Sequence, residues 1–110
     1  MKGFECPILF TTHIVGRKWA IPIIEELFFS EKINFNDLKK SLKHITSRTL
    51  SKTLKDFCNE GFIEKKIKKK NNISYTEYSL TKKGEDLHQV IERMKVFGFK
   101  WYGDFCCKYK

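Results

Sequence analysis

The sequence predicts a mainly α-helical fold carrying one small β-hairpin, and three observations lead there. Apolar residues recur at helical spacing over most of the chain, and the pattern turns strand-like only across residues 62–80. A hydrophobic content of 41%, with ten Phe among 110 residues, supplies the apolar surface for a packed core. A disordered polycation would carry less. One domain spanning 1–110 is expected, because no Gly/Ser linker, internal repeat or low-complexity block divides the chain.

Each element follows from local chemistry. Cys6-Pro7 opens a short helix over residues 8–15, since proline suits a first helical turn, and Gly16 ends it. Trp19, Ile23, Ile24, Leu27 and Phe28 then share one helical face and predict a core helix. That helix starts close to Trp19, which keeps Pro22 in the first turn, where a missing N–H does no harm. Asn34, with Asp37 three residues on, reads as an N-cap with an acidic first turn. It begins a short helix through Phe35, Leu38 and Leu42 that ends near Lys43-His44. Thr46 or Ser47 caps the next helix, which runs to about Asn59 and stops at Gly61. Two helices this close form a helix-turn-helix candidate.

Residues 62–67 and 74–80 are β-prone, and Lys68, Lys69, Lys70, Asn71 and Asn72 between them read as a turn, giving a hairpin with a charged tip. Thr81 caps the last helix. On it Leu87, Val90, Ile91, Met94, Phe97, Trp101 and Phe105 keep helical spacing over roughly 35 Å. So small a domain cannot cover that stripe alone, which points to a two-fold dimer.

Charge narrows the function. Twenty-two Lys and Arg against thirteen Asp and Glu leave +9, and the excess lies beyond residue 30: residues 1–30 balance at three against three, while 31–60 and 61–80 carry seven against four and five against two. Such a field favours a polyanion, nucleic acid first and an anionic membrane face second. No apolar run approaches the roughly 18–20 residues that cross a bilayer. The first twenty residues, broken by Glu5, His13, Arg17 and Lys18, make a poor signal peptide, so a cytoplasmic protein without membrane partners is expected. Cys6, Cys58, Cys106 and Cys107 form no CxxC, and His13, His44 and His88 are scattered, so neither metal nor cofactor is expected and the thiols stay reduced by default, with Cys106 and Cys107 read either as exposed thiols or as an intersubunit link. An enzyme with Cys6 as nucleophile and His13 or His44 as base lacks an orienting third group, and no enzyme is expected.

The second helix of the pair divides by face. Steps of ~100° put Leu50, Leu54, Phe57 and Cys58 on one side, and Arg48, Lys52, Lys55 and Asn59 on the other with Ser51 beside them. An ordinary solvated face would look similar. A basic-tipped hairpin directly after the helix pair makes the winged-helix arrangement the better reading, with both elements converging on a duplex. Thr46, Ser47, Arg48, Thr49, Ser51, Lys52 and Lys55 are then the major-groove candidates, because Arg and Lys donate to guanine and hydroxyls bond base edges or phosphates. Lys68, Lys69, Lys70, Asn71 and Asn72 are the candidates for the flanking backbone.

Over about residues 6–103 the chain resembles the HxlR-type winged-helix transcriptional regulators, leaving 104–110 as a tail. The matching residues are Cys6-Pro7, Gly16-Arg17-Lys18-Trp19, Ile24-x-Glu26-Leu27 and Phe35-x-x-Leu38. They continue with Ile45-Thr46-Ser47-Arg48-x-Leu50-Ser51-x-x-Leu54 and Gly61-Phe62-Ile63. The most diagnostic run is Tyr75-x-Glu77-Tyr78-Ser79-Leu80-Thr81-x-x-Gly84. The resemblance implies a dimeric, sequence-specific DNA-binding regulator whose first and last helices form the interface. Ile8, Leu9, Leu87, Val90, Ile91, Met94, Phe97 and Trp101 are its candidates, and an inverted-repeat operator would follow. An architectural binder without sequence preference is the alternative. The wing departs from the family pattern by lacking prolines and being rich in lysine, as does Pro22.

Members of the resembled family that respond to aldehydes, quinones and thiol oxidants use a cysteine at the position of Cys6. Physically, a thiol just before a helix feels the positive end of the dipole, and a nearby Arg17 or Lys18 would add to its reactivity. A buried, inert cysteine is the other reading.

Overall fold

The structure, a computed structural model, describes residues 6–102. Five helices and three strands follow one another as α1 (Pro7–Val15), α2 (Ala20–Ser30), β1 (Ile33–Asn34), α3 (Phe35–Leu42), α4 (Ser47–Asn59), β2 (Ile63–Lys70), β3 (Ile73–Leu80) and α5 (Lys82–Tyr102). This is a winged helix. Pro7 stands in the first turn of α1 and Gly16 at its end. Trp19 precedes α2, which leaves Pro22 in the first turn. The Asn34 side chain accepts from the Asp37 N–H at 2.8 Å and so caps α3.

The end of α4 is a Schellman motif. Phe62 N–H donates to the Phe57 carbonyl at 2.9 Å and Gly61 N–H to that of Cys58 at 3.1 Å, with Gly61 at φ +86°. The Phe57 and Phe62 rings meet edge to face across it. The chain thereby leaves the helix directly into β2.

The hairpin is longer and tighter than expected. Lys68, Lys69 and Lys70 are not turn residues but the last three residues of β2, paired with Tyr75, Ser74 and Ile73. Only Asn71 and Asn72 turn, both at positive φ (54° and 63°), as a two-residue type I′ hairpin loop requires and asparagine tolerates. A third strand joins them. Ile33 and Asn34 pair antiparallel with Tyr78 and Glu77, giving the sheet order β1-β3-β2. Two residues are too few to show a period, so β1 left no mark in the sequence pattern.

The core draws on every helix: Ile14 of α1, Ile23, Ile24 and Leu27 of α2, Leu38 and Leu42 of α3, Leu50, Leu54 and Phe57 of α4, and Leu87 and Ile91 of α5. Each such side chain contributes ~1.5–3 kcal/mol when fully buried. Phe62, Ile63 and Tyr78 close it at the base of the hairpin. Leu87 and Ile91, expected at a dimer interface, therefore belong to the protomer's own core, because α5 lies against α2 along its first half. Phe28, expected in the core, is exposed instead and lies on the His88 ring. Phe105, Cys106 and Cys107 lie outside the described residues.

The family motif around Gly84 has a steric reason. A Cβ there would sit 2.2 Å from the Phe62 carbonyl oxygen and 3.0 Å from Leu80 Cδ2. That carbonyl already accepts from Thr81 N–H at 3.1 Å, while the Thr81 hydroxyl donates to the Gly61 carbonyl and accepts from Gly84 N–H at 3.2 Å. Lys83 adds a bond to the Glu60 carbonyl at 2.8 Å. The start of α5 thus locks onto the junction between α4 and β2.

Candidate nucleic-acid interface

Helix α4 is set by its apolar side. Leu50, Leu54 and Phe57 are buried, and Cys58 packs half-buried beside them, where burial pushes its thiol pKa up and Lys65 pulls it partly back. The opposite face is open: Ser47, Arg48, Thr49, Ser51, Lys52, Lys55 and Asn59 are all exposed. The helix wheel drawn from sequence matches this division.

Three members of the expected set have local duties. The Thr46 hydroxyl accepts from Thr49 N–H at 3.1 Å and donates to the Thr49 hydroxyl at 3.0 Å, so Thr46 is the N-cap and both hydroxyls are already bonded. Lys52 pairs with Asp56 at 3.2 Å on the same exposed face, a contact worth ~0.3–0.5 kcal/mol and readily exchanged for a phosphate. Arg48 and Lys55 are exposed on the same helix.

The wing lysines do not act as one tip. Alternation along β2 puts Lys66, Lys68 and Lys70 on one face, opposite Glu77, Tyr75 and Ile73, and puts Lys65 and Lys69 on the other with Ile63. Glu64 pairs with Lys66 at 3.4 Å on the first face. Asn71 and Asn72 are exposed at the end.

Arg17 plays a part the sequence reading did not assign. Instead of standing by Cys6, its guanidinium grips Glu60 through two parallel bonds of 2.6 and 2.7 Å and lies over the Phe57 ring. Its hydrogen bond to Glu60 raises its already high pKa, against a smaller opposing effect of burial. Lys18 rests over the Trp19 ring. Cys6 itself is half-buried and occupies the N-cap position of α1 in extended backbone, without a side-chain capping bond.

A model of the HxlR-like helix-turn-helix family matches residues 14–105. The chain belongs to that family. This HxlR-family chain is 30% identical over 101 residues to the HTH-type transcriptional regulator YdzF of Bacillus subtilis, covering 88% of each. Its fold matches that of a Porphyromonas gingivalis transcriptional regulator of the MarR family, at 30% identity and a TM-score of 0.74 over 92% of this chain and 97% of the other. It also matches the redox regulator HypR in its oxidised form, at 27% identity and a TM-score of 0.74 over 86% and 96%. The HxlR-family chain is accordingly a helix-turn-helix transcriptional regulator. Among its described residues no helix is long and apolar enough to cross a membrane.

Sequence reasoning missed one polar cluster outside this face. Glu25 of α2 is fully buried and meets His88 and Lys95 of α5, both of which also reach Glu92. The spacing His88-x3-Glu92-x2-Lys95 puts all three on one side of α5, and that was the available signal.

Proposed function

We propose that two copies of this chain form a sequence-specific DNA-binding repressor or activator that acts in the cytoplasm on an inverted-repeat operator. The observation that carries the reading is α4, whose buried Leu50, Leu54 and Phe57 hold an uncovered face bearing Arg48, Ser51, Lys52 and Lys55 at the mouth of a helix-turn-helix. Arg48 reads a base in the major groove, Ser47, Thr49 and Ser51 bond base edges or phosphates, and Thr46 holds the helix end. Lys68, Lys69, Lys70, Asn71 and Asn72 contact the flanking backbone. Affinity then falls with salt by a log slope of ~0.9 per phosphate neutralised.

Pairing is supported by apolar side chains that this chain leaves bare. Phe97 and Trp101 are 61% and 64% exposed, Met94 and Val90 continue the stripe along α5, and Ile8 and Leu9 stand out from α1. Cys6 is the proposed redox-sensing residue, supported by its place at the start of α1 and by the likeness to HypR.

Selection of bound duplexes from a random pool, with and without diamide, tests these assignments together. The wild-type chain should enrich an inverted repeat, and Arg48→Ala should flatten one position of it by ~1–3 kcal/mol. Retention of duplex DNA without enrichment of any sequence would identify an architectural binder, the alternative that the lysine-rich wing permits. Unchanged affinity and preference in Arg48→Ala would remove it as a reader. Cys6→Ser should bind DNA yet ignore diamide, and a persisting response would place the sensor elsewhere.

A further inference from the structure

Where α5 leaves the core, the cluster around Glu25 presents a set of donors that its own contacts do not satisfy. Glu25 is 0% exposed and His88 3%. His88 Nε2 lies 2.9 Å from Glu25 Oε1 and 3.4 Å from Glu92 Oε1, yet neither Nε2 nor Glu25 Oε1 makes a hydrogen bond. A buried carboxylate oxygen and a buried imidazole nitrogen left in this condition are unfavourable unless something else engages them. Lys95 answers part of the charge, reaching Glu25 Oε2 at 2.5 Å and Glu92 Oε1 at 3.1 Å. One ammonium faces two carboxylates.

The three ligand atoms of Glu25, His88 and Glu92 all lie within 4.8 Å of one another. Two atoms held ~2.1 Å from a common tetrahedral ion are about 3.4 Å apart, so the spacing needs little adjustment. His88 and Glu92 stand one helical turn apart, which aims both side chains at one point. The Phe28 ring stacks on the imidazole at 3.6 Å between centroids and 7° between planes, fixing its orientation. His88, Glu92 and Lys95 line a groove of about 700 Å³ together with Phe28, Phe29, Val96 and Phe99, and Glu25 lies buried behind them, so an ion would enter past His88 and Glu92.

We propose that Glu25, His88 and Glu92 bind one divalent transition ion, Zn²⁺ or an ion of similar preference, with Lys95 as its built-in competitor. One imidazole nitrogen and two carboxylate oxygens suit such an ion, and a fourth position faces the groove for water. Binding shifts the Lys95 ammonium off Glu92 towards the groove and leaves the fourth ligand open. The ion ties α2 to α5 immediately before the exposed stripe of Met94, Phe97 and Trp101, and so sets how that half of α5 projects. This assignment is independent of DNA binding.

Full-length protein stripped with EDTA and titrated with Co²⁺ under reducing conditions tests it. The wild-type chain should bind one Co²⁺, showing visible d–d bands without the near-ultraviolet charge transfer of thiolate ligation, and Zn²⁺ should displace it and raise the melting temperature. Glu92→Gln alters a half-exposed side chain and should keep the fold while weakening binding at least tenfold. Lys95→Met should tighten it. Thiolate charge transfer, an unchanged affinity in Glu92→Gln, or no saturable binding in both the wild type and Lys95→Met would overturn the proposal.

Discussion

Gly84→Ala should destabilise the fold far more than a glycine-to-alanine change in a helix ordinarily does. The added methyl would sit 2.2 Å from the Phe62 carbonyl oxygen, which cannot step aside without giving up its bond from Thr81 N–H. Overpacking of this kind costs ~1–3 kcal/mol, and loosening the Thr81 bond adds ~1 kcal/mol. Alanine's better helix propensity returns ~1 kcal/mol, leaving a net loss of about 1–3 kcal/mol. For a domain of this size the melting temperature should fall by roughly 5–20 °C. Gly98 supplies the control on the same helix, since a Cβ there meets nothing within 4 Å in the protomer. Gly98→Ala should raise stability by ~0.5–1 kcal/mol. Urea melts followed by circular dichroism at several protein concentrations measure both. If Gly84→Ala lies within 0.5 kcal/mol of wild type, the close approach of α5 to the wing base is not what holds glycine there.

Three further outcomes follow from local contacts. Thr46→Ala removes the cap of α4 and should cost ~1 kcal/mol in urea melts, with weaker operator binding, whereas Thr46→Ser should restore both. Phe97→Glu with Trp101→Glu should convert the proposed dimer to a monomer in sedimentation with circular dichroism unchanged, because neither side chain serves the protomer's core. Burial, with a smaller effect of Cys58, pushes the Tyr78 hydroxyl pKa up from its ordinary value of ~10. A raised folded-state value means the contribution is intact below that ordinary value and is lost as pH climbs through the higher one. Stability should drop with alkali in that window, and Tyr78→Phe should show a shallower drop in parallel melts.

Most of the architecture was legible because it rests on local rules that this chain obeys: Pro7 and Gly16 around α1, Asn34 and Asp37 at α3, Thr46 and Gly61 around α4. The two faces of α4 were equally plain, since Leu50, Leu54 and Phe57 repeat at helical spacing. What escaped notice depended on partners distant in sequence. Pairing of Ile33 and Asn34 with β3 has no local signature, and Glu25 looks like one of two adjacent surface acids until α5 brings His88 and Lys95 beside it. The run of three lysines suggested a loop by charge alone, whereas Asn71-Asn72, a pair able to take positive φ twice, carried the true turn. Arg17 pointed to Cys6 by proximity in the chain and went to Glu60, 43 positions away.

The strand pairing that continues to Lys70 has a thermodynamic consequence for any polyanion that docks there. Lysines carried by a floppy tip would have to be immobilised on contact, at ~1–2 kcal/mol per residue of backbone alone. Along β2 that ordering is already complete before the ligand arrives, and Lys66, Lys68 and Lys70 stand as evenly spaced teeth about 6.6 Å apart. Such a comb engages by side-chain motion only, which keeps association fast and leaves ionic strength the main lever on release.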